Sequence, residues 1–400
     1  MVSVWVCAQK ADLASFLTTA SQNSPLLKDF EGQIKSLSLD SQLLRASLKT
    51  QVNGISNNYY APVIKGVGYD NAITNGAQLS ALVQVSRNII GSRAAKARFN
   101  ALQIQSKTTG NSKAISEQDL KKAVTDQYIV AYRDRLQIGF SEEILALLRS
   151  QDSILKIMTR QNIYKQTEYL SFAVVLQQQE LAASQLRIQY AADYLTLNYL
   201  AGISDSTILE LQEPVLSTEA TVDMAQSVFY HQFELDSLRI KNDKFLAALN
   251  YRPVITLLAD GGYNSSLAYR PYKNWGTSAG INLSIPIYDG RQKRLQFFKI
   301  DIQEQNRQEK KTFFINQHNQ QVSQLRRQLF DTEQLITQIE KQIRYTETLI
   351  RSSGKLLSTG DIRITDFIIS LNNYFTARNL LTQNRVSRLQ ILSQLSYWNR

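Results

Sequence analysis

The chain has 400 residues, 43% of them hydrophobic and 20% charged, with only 6 Pro and 16 Gly and a formal net charge of +11. That composition excludes a disordered polymer and allows two or three ordinary domains built on long helices. No run of 18 apolar residues occurs, which excludes a transmembrane helix and leaves soluble, peripheral and β-barrel architectures.

Read from the start, Val2–Ala8 is a short apolar run ahead of a polar start at Lys10. Residues 1–9 read as the remnant of a secretion signal without its basic start, a buried strand being the alternative. The single cysteine, Cys7, excludes an internal disulfide framework and a multi-thiolate metal site. His231 and His318 have no metal-ligand spacing and read as surface polar residues.

The remainder reads as two copies, 10–202 and 203–400. Tyr60-Ala-Pro62-Val-Ile64 recurs as Tyr251-Arg-Pro253-Val-Ile255, and an offset of 195 pairs Phe172 with Phe367, Leu176 with Leu371 and Leu197 with Leu392. Each copy runs short helices, two strands and two long antiparallel helices, whose turns are expected far from the strands. In the first copy strands are expected at about 58–68 and 77–87, and helices at about 90–163 and 166–200. The stretch Lys107–Ser116 reads as a loop, with Ser116 and Asp119 restarting the helix. In the second copy strands are expected at about 252–263 and 275–287, and helices at about 291–351 and 362–397. A helix over 291–351 would be roughly 90 Å long, which suggests a tube, stalk or tether.

The strands alternate. Trp275, Thr277, Ala279, Ile281, Leu283, Ile285 and Ile287 face one way and Gly276, Ser278, Gly280, Asn282, Ser284 and Pro286 the other; Leu79, Ala81, Val83 and Val85 oppose Gln78, Ser80, Gln84 and Ser86, with Leu82 the exception. Such a pattern fits a membrane strand and equally a soluble strand with one buried face. Length and clustered end aromatics, among them Tyr60, Tyr263, Trp275 and Tyr288, favour the membrane. Four strands cannot close a barrel, so closure would need several chains; three would supply twelve strands. The helices carry coiled-coil spacing, as in Val322, Leu325, Leu329, Thr332, Ile336 and Ile339, and again in Leu170, Val174, Gln177, Leu181, Ser184 and Ile188.

This duplicated plan resembles the TolC family of outer-membrane factors over nearly the whole chain. The resemblance is carried by Ser24-Pro25-Leu26 as a helix opening, Leu197-Asn-Tyr-Leu200-Ala-Gly202 as a first-copy ending, Leu283-Ser-Ile-Pro286-Ile-Tyr-Asp289-Gly290 as the strand-to-helix turn, and Thr359-Gly360-Asp361-Ile-Arg363-Ile-Thr-Asp366-Phe367 as the second hairpin tip. It implies a mainly α fold with a transmembrane β-barrel portion, in a homotrimer of twelve strands and twelve long helices. It also implies outer-membrane lipid around the barrel, a tunnel through the periplasm, and a periplasmic adaptor and an inner-membrane pump of RND or ABC type at the tips.

The function expected is passive exit of cargo through a gated duct. Gly360, Asp361, Arg363 and Asp366 are the gate candidates: Gly360 permits the tight turn, and three symmetry-related Asp366 carboxylates would form a cation-attracting ring. The alternative is that Asp366 sits on a solvated helix face beside Arg363. Two departures from the family pattern are Ile369, where a second acid is common, and Lys165 and Ser171, which match Gly360 and Asp366 in the first copy. Tyr269, Arg270, Tyr272 and Lys273 form an extracellular loop that would meet lipopolysaccharide or phage, or serve as ordinary loop residues.

Two other classes compete. The charge admits nucleic acid or an anionic surface, but no basic block of five or more occurs and the cations read as scattered over helical faces. A basic coiled coil would leave the alternating strands unexplained, so no nucleic-acid partner is expected. A periplasmic adaptor would carry one hairpin rather than two. No phosphate-cradling Gly-rich loop, nucleophile–His pairing or metal cluster is present. Neither catalysis, cofactor nor metal is expected.

Overall fold

The computed structural model describes residues 12–70, 76–216, 224–267 and 270–398. The N-terminal segment 1–9 and Tyr269 lie outside the described residues. The elements run α1 (Leu13–Asn23), α2 (Pro25–Ser47), β1 (Gln51–Tyr60), β2 (Ala77–Ile89), α3 (Ser92–Arg160), α4 (Gln166–Ala201), α5 (Val228–Leu249), β3 (Val254–Ser265), β4 (Trp275–Ser284), α6 (Gln292–Thr359) and α7 (Ile364–Trp398). All six prolines lie outside helix interiors, at 25, 62, 214, 253, 271 and 286. That is why α3 and α6 reach 69 and 68 residues.

The chain forms two compact units that cut across the sequence copies. One comprises 1–29, 113–231 and 312–400, the other 30–112 and 232–311. Each takes matching pieces of both copies.

The first unit is helical. Its largest core joins four helices: Leu148 and Leu155 of α3, Phe172 of α4, Leu357 of α6, and Phe367 and Leu371 of α7 have no exposed surface. Burying a ring such as Phe172 or Phe367 contributes about 2–3 kcal/mol each. A second core sets Phe16 of α1 edge-on against Tyr128 of α3 and Tyr194 of α4, at 5.9 and 6.2 Å between centroids. Asp12 caps α1 by accepting the Ser15 N–H at 3.1 Å. Gly202, left-handed at φ 65°, ends α4. The following segment runs extended over the aromatic core, where the Tyr128 and Tyr190 hydroxyls donate to the Gln212 and Leu209 carbonyls.

The second unit holds an antiparallel four-stranded sheet in the order β1-β2-β3-β4. Beside it, Ile240 and Ala247 of α5 pack on Ile300 of α6.

Several sequence expectations are corrected. The first strand is Gln51–Tyr60, not 58–68: Pro62 and left-handed Lys65 and Gly66 break the later stretch, while the weak pattern QVNGISNNYY pairs fully with β2. The Tyr60–Ile64 and Tyr251–Ile255 match is therefore not structural, since Pro62 follows β1 and Pro253 precedes β3. Lys107–Ser116 is not a loop but continuous helix; an isolated Gly110 costs only about 1 kcal/mol, which helix packing outweighs. The helix expected to stop at 351 runs through Gly354 to Thr359. Gly354 closely approaches Phe367 of α7, as its added Cβ would lie 3.7 Å from that ring.

His318 is not a surface residue. It is buried, with Nε2 3.2 Å from the Trp398 carbonyl and its ring edge-on to Trp398. The coiled-coil seam proposed for α4 is not packed within the chain: Leu181 and Ile188 are exposed, Ile188 by 72%. Another face of α4, with Phe172, Tyr190, Tyr194 and Leu197, enters the core instead. The α6 seam is buried at Val322, Leu325, Ile339 and Ile343.

Candidate functional site

The two hairpin tips belong to the first unit and are built alike. At the end of α6, Gly360 is left-handed at φ 85°. Its N–H donates to Leu357 O and the Asp361 N–H to Leu356 O, at 3.4 and 3.0 Å. This is a Schellman ending, which satisfies the last carbonyls of the helix. At the end of α3, Asn162 takes the same role at φ 60°, with its N–H on Thr159 O and the Ile163 N–H on Met158 O. Asn is the side chain that best tolerates this conformation after Gly.

That geometry corrects the correspondence between the copies. Gly360 is matched by Asn162, not Lys165, and Asp366, third residue of α7, is matched by Glu168, third residue of α4. Lys165 and Arg363 are the residues preceding the two helices. An acid at each helix start also complements the macrodipole. Glu168 accepts the Lys165 N–H at 3.4 Å, and Asp366 is exposed. Asp361 accepts from the Thr359 hydroxyl at 2.5 Å.

Tyr164 ties the tips together. Its ring is buried, and its hydroxyl lies 2.9 Å from Leu357 O and 2.8 Å from Ile362 O, sharing one proton between two carbonyls of the other hairpin. Burial, followed by the Glu168 and Asp361 charges, raises its pKa. The fit is close at Gly360, where an added Cβ would lie 2.9 Å from Ile163 Cγ2. Pattern reading missed Tyr164 because a lone aromatic in a turn carries no periodic signal.

Also in the first unit, Asp134 of α3 is 1% exposed and takes Arg133 at 2.7 Å on Oδ1, while its Oδ2 meets no donor. Burial, reinforced by the neighbouring Asp193 carboxylate, pushes it up to about 6. Burial opposes the Asp193 charge, but hydrogen bonds from Asp134, Gln189 and Gln127 outweigh it and lower that group.

In the second unit the sheet sorts its residues by face. Directly paired residues share a face. The register therefore puts Val83, Leu257 and Ile281 on the apolar side, while Ser80, Asp260 and Ser278 lie on the polar one. The apolar side is open to the surroundings, with Ile281 exposed by 74%. On the polar side Ser278 donates to Asp260 at 2.7 Å and Thr256 to Asn88 at 2.8 Å. β1 and β4 each have one unpaired edge in the chain. Gly262, at φ 153°, lies so close to β2 that an added Cβ would come within 2.2 Å of Ala81 O.

The strand-to-helix turn starts α6. Asp289 accepts the Arg291 and Lys293 N–H groups at 3.0 and 2.9 Å. Gly290 and Arg291 are both left-handed, at φ 59° and 70°. Pro286 follows β4, where it stops strand pairing. At the other end of the sheet Arg270 is left-handed at φ 37° before a single 3-10 turn, Pro271–Lys273. The exposed Tyr272 ring lies 5.9 Å from Lys273 Nζ, and Tyr263 and Trp275 stack edge-on at 5.7 Å.

Among the described residues no His, Cys, Asp and Glu group suited to a metal occurs, and no helix is long and apolar enough to cross a membrane. No protein-family model matches the chain, and no curated protein does. Solved structures do. CusC, whose structures concern folding and transmembrane channel formation, is 13% identical, with TM-score 0.79 over 100% of this chain and 95% of its own. The outer membrane protein VceC of Vibrio cholerae is 12% identical, with TM-score 0.79 over 99% and 98%. The open-state MtrE outer membrane channel of Neisseria gonorrhoeae is 11% identical, with TM-score 0.75 over 96% and 88%. At these identities the likeness establishes a shared fold along essentially the entire chain.

Proposed function

We propose that this chain, which has the fold of those outer-membrane channels, is a TolC-family outer-membrane duct: one protomer of a trimer that passes cargo passively and performs no covalent chemistry. The observation that carries this is the open, sorted sheet. An apolar face exposed along β2, β3 and β4 is stable only against lipid or another apolar surface. Two unpaired edges are an aggregation liability unless neighbouring copies close the ring. Three chains give twelve strands, with the Ser, Asn and Asp face lining a wet bore. The exposed α4 stripe of Leu181 and Ile188 supplies a second surface for the adjacent copy.

In this reading the sequence copies 10–202 and 203–400 are the two halves of the protomer. The strands lie in the outer membrane, the helices reach into the periplasm, and the tips meet an adaptor and an inner-membrane pump. The loop of Arg270, Tyr272 and Lys273 faces the exterior. At the tips, three Asp366 carboxylates form a cation-attracting ring, and Glu168 adds an acid at the matching place of the other hairpin.

The test is conductance in planar bilayers. The account expects discrete, cation-preferring channels whose preference and block by polyvalent cations weaken in Asp366→Asn. Absence of channels removes the duct; unchanged selectivity and block in the variant remove the ring.

A further inference from the structure

The sequence shows no basic block, yet the second unit gathers cations at one end of its sheet. The pairs Gln51↔Ser86, Ile89↔Ile255 and Val254↔Ser284 place the starts of β1 and β3 beside the ends of β2 and β4. At this end stand Arg87, near the end of β2, and Lys49 and Arg252, just ahead of β1 and β3. Arg93, Lys96 and Arg98 follow on the first turns of α3. Arg291 precedes α6, and Lys293, Arg294 and Lys299 follow on its first turns. At 1.5 Å per residue these helical positions lie within roughly 12 Å of their helix starts, so the cations form a belt about one Debye length deep.

The belt has no internal counter-ions. All ten side chains are exposed, and none pairs with a carboxylate among the described residues. The one acid in these stretches, Asp289, has both oxygens on backbone N–H groups, those of Arg291 and Lys293. The next acid along α6, Asp301, pairs with Lys244 at 2.6 Å. Helix stability does not explain the arrangement either, since cations in a first turn oppose the macrodipole and neither α3 nor α6 has an acid there. Between the cations stand exposed apolar groups: Ile287, exposed by 96%, and Tyr288, Leu295 and Phe298.

Cations interleaved with exposed aromatic and aliphatic side chains, at the rim of an apolar sheet face, match a bilayer's headgroup level. We propose that this belt binds the phosphates of anionic phospholipids in the leaflet on the helical side of the membrane. It thereby fixes the depth at which the sheet sits. The proposal rests on the membrane reading above and adds a lipid class to it.

The test is the relative association of spin-labelled phosphatidylglycerol and phosphatidylcholine with the full-length protein in phosphatidylcholine nanodiscs. The belt predicts a several-fold preference for phosphatidylglycerol. It should fall with added salt and drop to near parity in the combined variant Arg93→Gln, Lys96→Gln, Arg291→Gln, Lys293→Gln, Arg294→Gln, with its oligomer retained. Glycerol phosphate at matched ionic strength should not displace the lipid. If the variant fails to assemble, the salt dependence of the unmodified protein decides. Equal association of both lipids overturns the proposal, leaves the membrane reading standing and assigns the belt to an acidic protein partner. Failure to enter nanodiscs overturns both.

Discussion

The hydroxyl of Tyr164, in the turn between α3 and α4, lies 2.9 Å from the carbonyl oxygen of Leu357, near the end of α6. One hairpin thereby helps to satisfy the last carbonyls of the other, and the tips of both hairpins share one packed cluster. Tyr164→Phe keeps the ring and removes the donor. The expected cost is about 1–2 kcal/mol, the penalty for under-satisfied buried carbonyls. It should be read as a lower denaturation midpoint together with raised leak conductance; an unchanged midpoint would show that water replaces the hydroxyl.

Gly360 and Asn162 occupy equivalent left-handed positions, so they should respond in opposite ways. Gly360→Ala combines an unfavourable φ with a 2.9 Å approach to Ile163 and should destabilise by about 1–2 kcal/mol. Asn162→Gly should be neutral or slightly stabilising. Thermal unfolding of the two variants compares them directly; equal losses would refute the shared geometry.

Asp134 gives the helical unit a pH signature. Its folded pKa, about 6, lies above that of an unfolded aspartate. The folded chain therefore holds the proton more tightly. Stability from this group is fully present below the unfolded pKa, declines as pH rises toward 6, and stays lost above it. The decline is about 3 kcal/mol at about 1.4 kcal/mol per pH unit. Asp134→Asn, which retains a donor for Asp193, should flatten stability between about pH 4 and about pH 6, the span between the unfolded and folded values. The lowered Asp193 acts only at more acidic pH. Denaturant titrations at several pH values would show an unaltered slope in the variant if the assignment were wrong.

Gly262 should tolerate no side chain. With Ala81 O 2.2 Å from the added carbon, Gly262→Val must push β3 off β2, at a cost of roughly 3 kcal/mol or more. Gly280, whose added Cβ would meet nothing, is the control. Outer-membrane yield of Gly280→Ala should stay near that of the unmodified chain while Gly262→Val is lost; equal yields would show that the sheet adjusts.

Much of the fold was legible where periodicity is strong. The alternation Trp275 to Leu283 and the α6 seam around Ile339 both carry through to the structure, as does Gly360 in its turn. What misled was local chemistry outvoted by packing. Gly110 and Gly354 read as breaks but lie within the long helices α3 and α6. Asn53, Gly54, Asn57 and Asn58 hide β1, which exists because β2 offers it a partner. The tip correspondence slipped because heptads look alike when shifted by about one turn, so only the left-handed residues Asn162 and Gly360 fix it. Tyr164 and the cationic end of the sheet were invisible because their partners are distant in sequence.

The central claim is that the four strands of one chain become a closed wall only with other copies. Electrophoresis of unboiled and boiled outer-membrane fractions tests it most directly. The account predicts a heat-modifiable species three times the 45.5 kDa of one chain, confined to that fraction and collapsing to the single chain on boiling. A monomer recovered in the soluble fraction, with no such species, would contradict it.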